Sequence, residues 1–397
     1  MQNTPNANRL QIGLFGARNS GKSSLLNAIV NENIATVSEI PGTTTDPVRK
    51  AMELPSLGAV LFVDTAGLDD VEELGKLRVE KTIEAAKSVD IALIFFNGEN
   101  FDKTLKFLPH LKNAKKIAII NKIDELTDKG EALCKKVAEK TKLSAVKVSA
   151  KTREGIELLF SELLRVLPED YESVSITGDL AGEGDVVMLV MPQDTGAPKG
   201  RLILPQVQTL RELLDKRAII VCTVVEKMEE TLNKLTNPPK LIITDSQAFK
   251  KVYELKPKDS LLTSFSILFG NYKGDIKYFF DSAQKMLKLK DDAKILIAEA
   301  CAHRPLEEDI GQVKIPRLLR KKLGENVRIE FTSGREFPTD LTAYDLIIHC
   351  GACMFNRRYV LQRIAAAKEQ NIPMTNYGVA IAALTGILDK VVYPNFL

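Results

Sequence analysis

Short runs of consecutive apolar residues alternate along the chain with stretches of helical period. In the first part, Leu10–Phe15, Ala59–Val63, Ile91–Phe95, Ile117–Ile120 and Val146–Val148 have the length and context of buried parallel strands. Between them, apolar positions recur every three or four residues, as in Ser24–Val30 and Ile156–Val166, and predict helices. This alternation predicts a doubly wound α/β domain over residues 1–170. The stretch Leu167–Ser175 reads as a linker, and the pattern then restarts. Val186–Met191, Ala218–Thr223 and Leu241–Thr244 predict strands, and Pro205–Leu214 and Ser246–Leu255 predict helices, of a second unit placed at 176–263. A third unit, 264–397, has predicted strands at Ile295–Glu299, Arg328–Phe331, Leu346–His349 and Pro373–Thr375. Its predicted helices are Ile276–Leu287, Ile315–Leu323 and Arg357–Glu369. The expected fold class is therefore α/β, one doubly wound domain followed by two smaller α/β domains, with no fixed-period repeat.

Composition narrows the class. A chain of 397 residues suits two or three domains. Its 45% hydrophobic and 27% charged residues are those of an ordinary globular protein. A net charge of +3 is too small to argue for nucleic acid or membrane as a partner. Met1–Arg9 is polar and lacks the apolar stretch of a signal peptide. The longest clean apolar runs, such as Ile91–Phe96 and Ala218–Cys222, are far below a membrane span. The expectation is a cytoplasmic protein.

The first predicted strand runs into Gly16-Ala-Arg-Asn-Ser-Gly-Lys-Ser23, which opens a predicted helix and fits a P-loop in pattern and context. Backbone N–H groups over Gly16, Asn19, Ser20, Gly21 and Ser24 would curl around phosphate oxygens. Lys22 would reach the β- and γ-phosphates and Ser23 would ligand Mg²⁺. Asp64-Thr65-Ala66-Gly67 ends another predicted strand, with Asp64 suited to hold Mg²⁺ through water and the Gly67 N–H to sense the γ-phosphate. Asn121-Lys122-Ile123-Asp124 ends a third. The Asp124 carboxylate matches the N1–H and N2 amino group of guanine, which adenine cannot offer. Ser149-Ala150-Lys151 brings backbone N–H groups to guanine O6. Pro41–Asp46 supplies a switch segment in which Thr44, by register with related GTPases, is the second Mg²⁺ hydroxyl. Leu68 stands where many GTPases carry a water-orienting Gln, so catalysis needs another group. Asn19 resembles the Asn of GTPases that recruit K⁺ beside the phosphates; the plainer reading is that it only braces the loop.

Five Cys and three His are present, and most fall in two short clusters, Cys301-Ala-His303 and His349-Cys350-Gly-Ala-Cys353. Both clusters follow predicted strands, at the carboxyl ends where open α/β sheets place ligand crevices. Cys350 and Cys353 have the spacing by which two thiolates grip one metal centre, and Cys301 is the third candidate. Spacing alone leaves zinc and iron–sulfur open. Cys134 and Cys222 read as core residues. Lys314–Lys322 reads as a solvated helix face. Arg357 and Arg358 either stabilise an anionic cluster or are helix-surface charges.

The GTPase motifs combined with Cys301-x-His303 and His349-Cys350-x-x-Cys353 resemble the HydF family, the maturation GTPases of [FeFe]-hydrogenases. The resemblance spans essentially the whole chain. It implies a middle dimerisation domain, hence a homodimer, and a C-terminal domain with a [4Fe–4S] cluster held by Cys301, Cys350 and Cys353. The fourth iron position is then open or weakly held by His303 or His349. It also implies a scaffold that receives a two-iron H-cluster precursor from the radical-SAM maturases HydE and HydG and delivers it to the apo-hydrogenase HydA. The alternative is a tRNA-modification or ribosome-assembly GTPase with a zinc-stabilised C-terminal domain. Such proteins usually carry a basic RNA-binding module, and the balanced charge disfavours that reading.

Overall fold

The structure is a computed structural model that describes residues 5–32, 38–40, 46–54, 57–68, 73–167, 174–192, 202–299, 309–334, 336–352 and 355–395. The chain divides into two compact units, residues 1–173 and 174–397.

The first unit holds seven strands: β1 (Leu10–Gly16), β2 (Ser38–Ile40), β3 (Val48–Leu54), β4 (Gly58–Asp64), β5 (Ile91–Phe95), β6 (Lys115–Ile120) and β7 (Ala145–Lys147). They lie in the order β2-β3-β4-β1-β5-β6-β7. The five strands expected from apolar runs are present and mutually parallel where they pair. The antiparallel β2 and β3 were not expected. In β3, Val-Arg-Lys-Ala-Met-Glu-Leu, charges interrupt the apolar run because the strand lies toward a sheet edge and is only partly covered. Alternation along β1 feeds two cores. Leu10, Ile12 and Leu14 pack with Leu25, Ile29 and Leu159 on one side. Phe15 packs with Val63, Phe107 and Val137 on the other.

The second unit holds two four-stranded parallel sheets. The first is β8 (Val186–Val190), β9 (Ile219–Thr223), β10 (Leu241–Thr244) and β11 (Leu261–Ser264), ordered β11-β10-β8-β9. The second is β12 (Lys294–Ala298), β13 (Arg328–Thr332), β14 (Leu346–His349) and β15 (Met374–Asn376), ordered β13-β12-β14-β15. One continuous core joins them, in which Met188, Ile242 and Leu262 share a cluster with Ile276, Phe279, Ile295, Ile347 and Val379. The predicted helices lie at Ile276–Met286, Ile315–Leu323 and Arg357–Glu369, the first and last N-capped by Asp275 and Asn356. Three helices of this unit lie outside the periodicity expectations, Met228–Leu232, Phe265–Lys273 and Tyr377–Leu384. Residues 378–383 are all buried. A helix buried on every side shows no amphipathic stripe.

One expectation fails here. Cys222 is exposed rather than a core residue, because β9 is an edge strand with one flank open. Its apolar run looks like that of a central strand, and only the pairing order separates the two. Cys134 is half-buried against the first unit's core.

Candidate functional site

The nucleotide motifs converge at the carboxyl ends of β1, β4, β6 and β7. The chain leaves β1 through Gly16 and enters the helix Lys22–Glu32 by way of two left-handed residues, Asn19 (φ 59°) and Gly21 (φ 86°). A side chain at position 21 would put Cβ 2.1 Å from the Asn121 amide nitrogen, so this position needs glycine. Lys22 is buried, and its ammonium donates to the Gly16 and Ala17 carbonyls at 3.0 and 2.9 Å. The Ser23 hydroxyl donates to Asp64 Oδ2 at 2.5 Å. Parallel pairing of β1 and β4 sets Leu14 opposite Asp64, and the Thr65 hydroxyl donates to the Leu14 carbonyl at 2.6 Å. The Leu68 N–H donates to the Gly16 carbonyl at 3.2 Å, so the segment after Asp64 folds back on the loop. Burial pushes the Asp64 carboxyl above its ordinary range, and the Ser23 hydrogen bond and the charges of Lys22 and Lys50 pull it back.

Asp64 Oδ1 and the Ser20 hydroxyl are buried with no hydrogen-bond partner among the described residues. A carboxylate oxygen with an unused lone pair beside a serine hydroxyl is a donor set that fits Mg²⁺. Asn19 is exposed at the loop's tip. Thr44 lies outside the described residues, as do positions 41–45 of the switch segment. Asp46 pairs with Lys81 at 3.2 Å.

The base end is tied to the phosphate end by Asn121. Its side-chain N–H groups donate to the Ser20 and Gly21 carbonyls at 3.3 and 3.2 Å, and its Oδ1 accepts from the Ala150 N–H at 3.1 Å. Ser149 is buried and donates to Asp124 Oδ1 at 2.6 Å, which orients an otherwise exposed carboxylate. Lys122 is left-handed (φ 62°) and exposed, and Lys151 is exposed. The predicted phosphate and base residues that are described thus assemble into one site.

Of the second motif set, His349 and Cys350 are described, whereas Cys301, His303 and Cys353 lie outside the described residues. β12 and β14 pair in parallel with Ala298 opposite His349, so the segments carrying the two Cys clusters leave neighbouring strands at the same sheet end. The Cys350 N–H donates to the Ala298 carbonyl at 3.0 Å. Cys350 is half-buried, and its sulfur accepts from the Ala352 N–H at 3.4 Å. Ala352 is left-handed (φ 47°) and its carbonyl, like that of Phe355, accepts from the buried Lys273 ammonium, at 3.0 and 2.8 Å.

His349 is buried. Its Nε2 lies 2.9 Å from Arg363 Nη1 and its Nδ1 lies 2.6 Å from the Cys350 carbonyl. A guanidinium only donates, so Nε2 accepts and Nδ1 carries the proton. Burial, reinforced by Arg363 and opposed by the Cys350 carbonyl, pushes His349 down to about 3, so the ring is neutral. Both ring nitrogens are used within the protein. Arg363 is 4% exposed and lies between the rings of Phe337 and Tyr359, 4.7 and 4.6 Å from their centroids. It also donates to Tyr359 Oη and to the Gly334 and Glu336 carbonyls. Nearby, buried Glu299 accepts from Tyr377 Oη at 3.1 Å and from Gln312 at 3.3 Å. Burial pushes the Tyr377 phenol far up, with the adjacent Cys350 and Glu299 adding to it.

Lys273 and Arg363 were not among the sequence candidates. Arg363 had a readable signal, since it shares a face with Tyr359 and Ala367 at i, i+4, i+8. Arg357, which was considered, donates to the Tyr272 carbonyl. Among the described residues no group of three His, Cys, Asp or Glu is placed to hold a metal ion, and only one of the three candidate thiolates is described. The surroundings of that thiolate fit an anionic iron–sulfur centre: sulfur accepts a backbone N–H, and a buried guanidinium has no carboxylate partner among the described residues.

Comparison with known proteins bears on both units. A profile of the hydrogen maturase F dimerization domain matches residues 176–274, and one of the hydrogen maturase F tetramerization domain matches 277–394. Together they cover more than half of the chain. The chain belongs to the HydF family. As in that family, its N-terminal unit is a P-loop GTPase domain, and a profile of 50S ribosome-binding GTPases matches residues 11–122. Curated relatives include the tRNA modification GTPase MnmE of Carboxydothermus hydrogenoformans, 36% identical over 181 residues, which are 44% of this chain and 36% of that protein. MnmE of Clostridioides difficile is 35% identical over 153 residues, 38% of this chain and 33% of that protein. The HydF-family chain thus spans about a third of the length of these relatives, and the likeness is confined to the GTPase domain. Among solved structures, the G domain of the Thermotoga maritima FeoB iron transporter is 21% identical, with a TM-score of 0.31, covering 40% of this chain and 98% of that one. Aquifex aeolicus Era bound to GDP and AlF₄⁻ is 19% identical, with a TM-score of 0.34, covering 63% and 99%. Likenesses this low add nothing to the topology described above. Among the described residues no helix is long and apolar enough to cross a membrane.

Proposed function

We propose that this HydF-family chain is a GTP-hydrolysing scaffold of [FeFe]-hydrogenase maturation. Residues 1–170 bind GTP and Mg²⁺, 176–263 form the dimerisation domain, and 264–397 carry a [4Fe–4S] cluster. The reading is supported by one chain that carries a P-loop tied through Asn121 to the segment before Asp124, and Cys350 at a strand end near buried cations. Lys22 and the loop N–H groups bind the phosphates, Ser23, Thr44 and Asp64 hold Mg²⁺, and Gly67 senses the γ-phosphate. With Leu68 unable to orient water, a K⁺ at Asn19 supplies positive charge beside the phosphates. In the C-terminal part, Cys301, Cys350 and Cys353 hold the cluster, whose chemistry when bound is to offer an iron with an exchangeable position. His349, with both nitrogens engaged, leaves that position to His303, another group or solvent. The two-iron precursor is cargo, received from HydE and HydG and delivered to apo-hydrogenase HydA.

The exposed edge of β9 supports self-association. Ile219 on this strand is 56% exposed, Leu214 on the preceding helix is 55% exposed, and an open strand edge is a template for pairing with another chain. The tRNA-modification reading has less support, because that similarity stops with the GTPase domain while the HydF profiles cover the remainder. Anaerobic purification followed by iron and sulfide analysis, then mixing with apo-hydrogenase, tests the proposal. Iron- and sulfide-loaded protein that elicits hydrogen evolution is the expected result. Zinc-bound protein that never activates hydrogenase would overturn it.

A further inference from the structure

We infer that Arg363 is the buried countercharge and positioning residue of the thiolate centre, acting on Cys350 through His349. The inference rests on the reading of Cys350 as a cluster ligand. A guanidinium is effectively always charged, and a buried charge is costly unless it is paired. Arg363 is 4% exposed, its Nε has no hydrogen-bond partner among the described residues, and its acceptors there are His349, two carbonyls and one phenol, all neutral. Glu299, the buried carboxylate at the end of the neighbouring strand, takes its hydrogen bonds from Tyr377 and Gln312. Among the described residues, then, no carboxylate pairs with this cation. Three thiolates around an oxidised cubane of charge +2 leave a net charge of about −1, which becomes about −2 on reduction. That anion is the complement the buried guanidinium lacks.

The same residue also fixes geometry. Arg363 sets the His349 tautomer, so that Nδ1–H donates to the Cys350 carbonyl and holds the peptide from which the thiolate projects. Lys273 grips the same loop at the Ala352 and Phe355 carbonyls. The ligand loop is thus held by cations at its start and its middle, and ligand orientation by such outer groups is a general means of tuning a metal centre.

The test uses full-length Arg363→Gln and Arg363→Lys chains, reconstituted anaerobically with ferrous iron and sulfide and followed by EPR-monitored redox titration. Glutamine keeps donors but removes the charge that favours the more anionic reduced state. Arg363→Gln should therefore load iron yet shift the oxidised-to-reduced ratio at the wild-type midpoint at least tenfold toward oxidised, about 59 mV for one electron. Arg363→Lys should shift it less and change the EPR spectrum, because a compact ammonium cannot repeat the fork that holds His349. A loaded Arg363→Gln protein within threefold of the wild-type ratio overturns the inference. Should that variant fail to fold, Arg363→Lys decides: an altered spectrum supports the role, and wild-type spectrum and potential overturn it. Wild-type protein that takes up no iron and sulfide is a distinct failure, which removes the cluster reading and this inference with it.

Discussion

The Ser23 hydroxyl donates to Asp64 Oδ2 across 41 positions of sequence, which places the two residues proposed for Mg²⁺ in direct contact between the start of the helix Lys22–Glu32 and the end of β4. The contact does not satisfy the carboxylate, because Oδ1 remains buried without a partner among the described residues.

Asp64→Asn should therefore stabilise the nucleotide-free protein while disabling it. Burial raises the Asp64 carboxyl above its ordinary range in the folded state. A group so shifted favours folding at pH below its unfolded value and loses that contribution as pH rises through the folded one. At neutral pH the charged form opposes folding, and asparagine removes the charge. Melting in chelator at neutral pH should show a higher Tm for the variant, with the gap closing as pH falls below the carboxylate range. Hydrolysis of GTP should fall on the order of 100-fold or more. Equal melting at neutral pH would show that Asp64 carries no burial cost.

Guanine selectivity should depend on Asp124, which Ser149 holds in place. Losing hydrogen bonds to a charged group costs about 1.5–3 kcal/mol, or roughly 10- to 100-fold in affinity. Asp124→Asn should weaken GTP binding by that factor and narrow the preference over ATP. Calorimetric titration with both nucleotides checks it, and undiminished GTP affinity counts against the assignment.

Hydrolysis should be slow and should run faster in K⁺ than in Na⁺, since Leu68 cannot orient water and Asn19 sits exposed in the P-loop. Phosphate release measured at matched ionic strength in the two salts decides it. Identical rates would remove K⁺ from the mechanism.

Cys301→Ser, Cys350→Ser and Cys353→Ser should each leave GTP hydrolysis nearly intact, because every residue proposed for nucleotide binding belongs to the first unit. Each should abolish or severely reduce activation of apo-hydrogenase, since a serine oxygen is a poor substitute for a thiolate toward iron. Hydrogen evolution after mixing is the readout. Full activation by all three variants would falsify the carrier role.

Ile219→Lys should disperse the proposed dimer by placing a charge on the exposed edge of β9, where Ile219 is 56% exposed. Light scattering of the full chain at several concentrations should show a smaller species than wild type. An unchanged mass would move the interface elsewhere.

The sequence by itself determined the nucleotide site. Its motifs stand at the ends of apolar runs, and a parallel sheet necessarily brings such ends to one edge, so Gly16–Ser23, Asp64, Asn121–Asp124 and Ser149–Lys151 are legible in the sequence alone. The third-unit strands were equally legible, because Ile295 and Ile347 belong to short apolar runs with room for nothing but a buried strand. Elements without a distinct period were not legible. Tyr377–Leu384 is apolar on every side, β3 is broken by charges, and β9 looks central although it is an edge, which is why Cys222 was misplaced. Only tertiary structure decided the surroundings of Cys350. Lys273 comes from the helix Phe265–Lys273 and Arg363 from the helix Arg357–Glu369, far along the chain, and neither belongs to a sequence motif. Their burial depends on which elements pack over them, and hydrogen-bond partners such as the Arg363–His349 pair follow from that packing rather than from any local pattern.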